Sequence, residues 1–300
     1  LGEIESFPFI DPPSTAAIRS GFALLEELGA IDSEHKLTKL GGKLAKIPID
    51  PTAGRMLLQA EKEGVLEQIL IITSALTIPD PRERPLGEEE QARIAQREFI
   101  HKQSDFLTLL NIWEALHSGS DKISQSKLRK FCRSHYISYL RIREWKDVKD
   151  QLAQALREFD RTGKSKSQST HYKNENEKQR LREYGGIEYR SIHQCLAAGL
   201  LANPARKDEP NFYRSTGNRK IMIFPGSGLF NKKAQFAKSK KQKQVIEEKV
   251  SSPDWILAGE IVETNRLYAR TVAVIDPTWL VLMGEHILKY SYSQPSFETD

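Results

Sequence analysis

Residues 161–168 read RTGKSKSQ, and Gly163-Lys164-Ser165 is the order in which a phosphate-binding loop ends. The full pattern is G-x-x-x-x-G-K-[ST], after a buried strand and before a helix, and its first glycine lets backbone N–H groups curl round the phosphates. Glu158 stands where that glycine belongs. The preceding DQLAQALREFD (150–160) reads as a helix, with Leu152, Leu156 and Phe159 on one face. The following SKSQSTHYKNENEKQR is polar and lacks apolar periodicity, so a solvated linker over 161–185 is expected. No nucleotide site is expected here.

Other groups that could do chemistry read more plainly. Cys132 and Cys195 have no metal-ligand spacing. They fit a reducing cytosol and argue against a disulfide framework or structural zinc. His101, His117, His171, His193 and His286 show no ligand spacing with one another, so no metal site is expected. In DPRERP (80–85), Asp80 and Glu83 are two carboxylates, but Arg82 and Arg84 lie beside them. Ion pairing is therefore expected rather than a raised carboxyl, in a structural or inter-domain loop.

Charge points toward a polyanion. The net charge of +5 hides an asymmetry, for residues 1–120 carry 12 Lys/Arg against 19 Asp/Glu and residues 121–300 carry 33 against 21. Residues 213–249 alone hold ten basic side chains against two acidic. A basic second half suits nucleic acid, and a solvated lysine-rich loop is the plainer alternative. No apolar run approaches a membrane span. The first residues, LGEIESFPFIDPP, read as a linker, so we expect a piece of a longer protein.

These groups must be held by about two or three domains. STAAIRSGFALLEELGA (14–30) reads as a helix, with Ser14 or Thr15 as N-cap and Gly29 as terminator. A short link, a small helix and Pro48 follow, which suits a winged helix over 1–50. Residues 51–64, 65–77, 88–117, 124–159 and 189–203 read as helices, so 51–203 is expected to be a helical bundle. From about 212 the period changes to two: KIMIF, WILAGEIVET and YARTVAVID read as strands and PGSG (225–228) as a turn. A small barrel with an OB-fold, a basic inserted loop at 231–250 and a closing helix is expected over 204–300. The fold class is therefore multidomain α+β: winged helix, helical bundle, OB-like barrel.

That order has residues attached to it. LTKLGGKLAKIPIDPTAGRMLL, ITSALTIPDPRERP and SDFLTLLNIW resemble the helicase-associated region of DEAH-box RNA helicases. LRKFCRSHYISYLRIREWKDVKDQL, IFPGSGLF and AGEIVETNRLYARTVAVIDPTWL resemble the bacterial HrpA type. The resemblance covers nearly the whole chain, apart from the linker at 161–180 and the loop at 231–250, which looks longer than usual. It implies a C-terminal region that follows two RecA-like motor domains. Those domains would hold ATP and Mg, so this region should have no catalytic residues and no cofactor of its own. It further implies a cytoplasmic protein whose partners are single-stranded RNA, its own motor domains and an activator protein; we expect a monomer.

The resemblance also implies where RNA would touch. A ratchet helix lying along the strand would offer the polar stripe of Ser104, Thr108 and Asn111, although Ser104 can equally be an N-cap and Thr108 can bond its own backbone. Arg133 and Arg141 sit in a basic, aromatic stretch whose Tyr136, Leu140 and Trp145 look like core. IFPGSGLFNKK is the sharpest candidate, with the turn amides at Gly228, the Ser227 hydroxyl, the Phe230 ring, and Lys232 and Lys233. Arg214, Arg219 and Lys220, on the approach to the same strand, are expected to extend that patch. The rival reading is a protein-docking scaffold with little RNA affinity.

Overall fold

The computed structural model describes residues 7–117, 124–160, 172, 174–232 and 252–289. The chain opens with α1 (Thr15–Glu27), and Ser14 caps it by accepting the Ala17 N–H at 3.2 Å. Gly29, at φ +70°, turns the chain out of the helix. A single antiparallel bridge joins Ile31 to Leu37 before α2 (Lys39–Leu44), which is capped by Thr38. Ala30, Leu44 and Ile47 form a small core with Leu58 of α3 (Pro51–Glu63). Asp50 caps α3 through the N–H groups of Thr52 and Ala53, with Pro51 in the first turn, where a missing N–H costs nothing.

Next comes α4 (Leu66–Leu76), the hub of the helical part; Gln68 through Ala75 are all buried. Its own Thr73 and Ser74 satisfy their hydroxyls on carbonyls one turn back. Around it pack α6 (Asp105–His117), α8 (Tyr139–Asp160) and α10 (Ile187–Gly199). Trp145 of α8 is fully buried and donates its indole N–H to the Ile71 carbonyl at 2.9 Å. That bond lets a large amphipathic side chain enter the core without an unpaired donor.

Two long helical runs are broken. The run 88–117 divides into α5 (Glu89–Gln96), a 3-10 turn (Arg97–Phe99) and α6, and the run 124–159 into α7 (Gln125–Ser134) and α8. Tyr136, at φ +52°, makes the second corner. Here Gln96 donates to the Glu83 and Tyr136 carbonyls at 3.0 and 2.8 Å, and tertiary bonding overrides local propensity. Leu140, expected in the core, is 73% exposed.

The expected linker at 161–185 is also corrected in its described part. Residues 175–182 form α9 (Glu175–Arg182), capped by Asn174, whose side chain accepts the Glu177 N–H at 2.9 Å. Its stability comes from charge rather than an apolar stripe. The buried Arg182 donates to both Glu114 oxygens at 2.9 and 2.8 Å and reaches Glu188 at 3.1 Å. Gly163-Lys164-Ser165 and His171 lie outside the described residues.

The second part is a closed barrel. It is built from β1 (Pro204–Glu209), β2 (Phe212–Ser215), β3 (Arg219–Ile223), β4 (Trp255–Glu263) and β5 (Leu267–Val274), in the order β1-β2-β3-β5-β4. All pairs are antiparallel except β3 with β5. Tyr213, Ile221, Ile223, Ile256, Ala258, Ala269 and Val272 fill its interior. Leu257 and Ala273, on the opposite faces of β4 and β5, join the core of the helical part. Both faces of these two strands are thus buried, which is why WILAG reads as a continuous apolar run. The short α11 (Pro277–Met283) follows β5, and Trp279 joins the same core.

Candidate nucleic-acid interface

A cleft of about 1050 Å³ lies where the helical part meets the barrel. One wall is Arg84 with Glu89, Glu90 and Arg93 of α5; the other is the loop 225–232 that leaves β3. Its cations are Arg84, Arg93, Lys102 and Lys232. Arg93 is paired with Glu90, and Arg84 donates to the Gly226 carbonyl at 3.2 Å. Lys102 and Lys232 are exposed and have no ion pair among the described residues. Lys232 feels the Glu90 carboxylate across the cleft, but neither ammonium group has to leave a salt bridge among the described residues to meet an incoming phosphate.

The loop is held from behind by an internal carboxylate. Asp105, 2% exposed at the start of α6, accepts the Gly228 N–H at 2.8 Å and the Val272 N–H at 3.0 Å. Burial pushes its carboxyl up, against the pull of the Arg82 guanidinium and of these donors. The Gly228 amide expected to meet an RNA phosphate is therefore spent inside the protein. Ser227 Oγ accepts the Leu229 N–H at 3.0 Å, closing the turn. Phe230 packs half-buried against the barrel core, and Lys233 lies outside the described residues.

The polar stripe of α6 faces inward. Ser104 is fully buried and pairs with His193 Nε2 at 2.8 Å, while also capping α6 by accepting the Leu107 N–H at 3.2 Å. His193 Nδ1 lies 2.6 Å from the Tyr189 carbonyl, which places its proton there. Burial depresses this imidazole to about 3, so it is neutral. Thr108 accepts the His101 N–H at 2.9 Å and donates to the Ser104 carbonyl at 3.2 Å. Asn111 donates to the Phe99 carbonyl at 3.0 Å. All three knit the chain to itself, Ser104 and Thr108 buried and Asn111 half-buried.

The remaining candidates fall on other surfaces. Arg214 and Lys220 are both bound to Asp208 at 3.3 Å, Lys220 also to Glu209 at 2.8 Å, and Arg219 donates to the Thr216 carbonyl at 3.3 Å. They mark the start of β3, roughly 16 Å along the strand from its exit into the cleft loop. Arg141 donates to the Asp80 carbonyl at 2.6 Å, and Arg133 is exposed on α7. Asp80 grips Arg82 through both oxygens, accepting from Nε on Oδ1 at 3.0 Å and from Nη2 on Oδ2 at 2.7 Å. Burial raises its carboxyl and the guanidinium more than reverses that, leaving it below the usual range. Among the described residues no three potential ligands gather to hold a metal.

Sequence reading missed Arg84, Arg93 and Lys102 as cleft residues. Arg84 follows Glu83 and Arg93 lies three residues after Glu90, which cancels their signal in a charge count. Their common position becomes visible only when α5 folds back beside the barrel.

The fold defines the class: a helical helicase-associated unit followed by an oligonucleotide-binding barrel. The family described as helicase-associated domain (HA2), ratchet-like, matches residues 50–109, and the oligonucleotide/oligosaccharide-binding (OB)-fold family matches residues 192–287. The ATP-dependent RNA helicase HrpA of Escherichia coli is 38% identical over 99% of this chain, and the HrpA homolog of Haemophilus influenzae is 35% identical over 98%. A pre-mRNA-splicing factor ATP-dependent RNA helicase of Schizosaccharomyces pombe is 25% identical over 97%. The chain thus carries a ratchet-like helicase-associated part and an OB-fold part, and is similar over nearly its whole length to HrpA-type ATP-dependent RNA helicases. It spans about a fifth of these relatives' length, 20%, 20% and 21% respectively.

Proposed function

We propose that this chain is the C-terminal RNA-binding and regulatory region of an ATP-dependent RNA helicase, and that single-stranded RNA runs through the cleft between α5 and the loop 225–232. The observation that carries this reading is the pair of ammonium groups, Lys102 and Lys232, that line one cleft beside an oligonucleotide-binding fold and hold no salt bridge among the described residues. Backbone charge neutralisation of this kind gives affinity without sequence preference. The interface uses Arg84, Arg93, Lys102 and Lys232. Arg133, Arg214, Arg219 and Lys220 serve RNA outside the cleft. The relatives' ATP dependence supports motor domains elsewhere in a longer cytoplasmic protein, where ATP and Mg act. Residues 1–50 are a winged helix through which those domains, or an activator protein, are met; 51–203 are the ratchet and 204–300 the OB domain.

The test is fluorescence anisotropy of a labelled single-stranded RNA over a range of salt. Binding should weaken steeply with salt. In a Lys102→Ala/Lys232→Ala variant the slope of log K against log salt should flatten by about 1.4, the value for two lost contacts on a single strand. Unchanged affinity and slope in that variant would remove the cleft from the RNA path.

A further inference from the structure

A second, smaller pocket of about 470 Å³ lies behind the cleft loop, and Gly226 and Ser227 line both cavities. It sits between the Pro79–Arg82 segment, the end of α4 and the outer face of β4 and β5. Its lining includes a stack: the Arg270 guanidinium lies over the Phe224 ring, 4.7 Å from its centroid, and Tyr268 meets that ring edge-on at 5.9 Å. Glu260 holds Arg270 from the side at 3.3 Å. Arg270 remains 45% exposed, so part of its side chain is open to a ligand.

The backbone is shaped to keep this space open. A Cβ on Gly226 would stand 2.8 Å from the Phe224 ring, so only glycine lets the loop lie against the ring edge. Thr271, which also lines the pocket, adopts φ +51° within β5. A β-branched residue in that region is strained, and such strain gathers at ligand-binding places. The Thr271 Cβ is 3.3 Å from where a Cβ on the facing Gly259 would be. The stack and the strained residue thus meet in one pocket that shares Gly226 and Ser227 with the cleft.

We propose that this pocket is a nucleobase subsite. One base of a strand lying in the cleft turns past Gly226 and stacks on Arg270, which Phe224 and Glu260 hold in place. A guanidinium backed by an aromatic ring is a platform that any base can use, because every base has a π-face. A cavity of 470 Å³ admits one base with its ribose. Its two arginines are already paired, Arg82 with Asp80 and Arg270 with Glu260, so the pocket offers a phosphate no spare cation and the backbone stays with the lysines of the cleft. This inference rests on the cleft reading, and the experiment separates the two.

The experiment compares an oligouridylate with an abasic oligomer of equal length and charge, each binding this chain and its Arg270→Gln and Phe224→Leu variants. The wild type should bind the abasic strand roughly tenfold more weakly, the range of one base–aromatic stack. Both variants should bring that ratio close to one, and Arg270→Gln, at an exposed position, keeps the test sound if Phe224→Leu fails to fold. Equal binding of the two strands by the wild type, or a ratio that neither variant changes, would overturn the subsite and leave the cleft standing. Failure to bind either strand at low salt would overturn the cleft reading itself.

Discussion

His193 shows how a single buried group sets a property of the whole chain. Folding holds it neutral, at about 3, against an ordinary value of 6.5. The unfolded chain therefore binds a proton below pH 6.5 that the folded chain refuses, and stability falls as the pH falls through that window. Between pH 6.5 and 5 the loss should be about 2 kcal/mol. Urea melts of the wild type and His193→Gln at both pH values would show it: the variant is less stable at neutral pH, having lost the Ser104 partner, but lacks this part of the slope. Asp105 acts beside it. Asp105→Asn replaces one acceptor by a donor facing a buried N–H, which should cost about 1–3 kcal/mol in the same melts. Neither residue announces its role in sequence, where both look like ordinary polar positions; the enclosure that makes them consequential comes from segments far along the chain.

Among the elements, α9 was hidden from pattern reading because it has almost no apolar residues. What holds it is the grip of Arg182 on Glu114 of α6 and Glu188 of α10, with Lys178 adding a 2.8 Å pair to Glu114. Burial pushes the Glu114 carboxyl up, and the Arg182 and Lys178 bonds pull it further down, to a net position below the ordinary 4.5. Its contribution is thus present above pH 4.5 and lost as the pH falls through the lower folded value. Glu114→Gln should destabilise the chain by about 3 kcal/mol at neutral pH and flatten the loss of stability on acidification below 4.5, as followed by circular dichroism. The capped helices were legible for the opposite reason. Ser14, Asp50 and Pro51 act through neighbours within three residues, so their effect survives in the sequence alone.

At the scale of the molecule, the helical part and the barrel share a core. Leu257, Ala273, Ile275 and Trp279 pack with Phe106, Leu110 and Tyr189 in one buried cluster. The two parts should therefore unfold together, with tryptophan fluorescence and far-ultraviolet circular dichroism tracing coincident transitions. A chain ending at Asn203 would expose that apolar face and should melt earlier or aggregate. The sequence by itself determined the order of helices and then strands, the barrel and the family, because caps, periodicity and long motifs are local and repeat along the chain. It also marked 225–232 as the loop of interest. Tertiary structure alone decided which of its atoms face outward. The Gly228 amide turned to Asp105, Ser104 and Thr108 turned to the interior, and Arg84, Arg93, Lys102 and Lys232 came to one cleft. The physical reason is that burial and charge pairing depend on contacts such as Ser104 with His193 and Gly228 with Asp105, 89 and 123 positions apart, and such distances leave no period in a sequence.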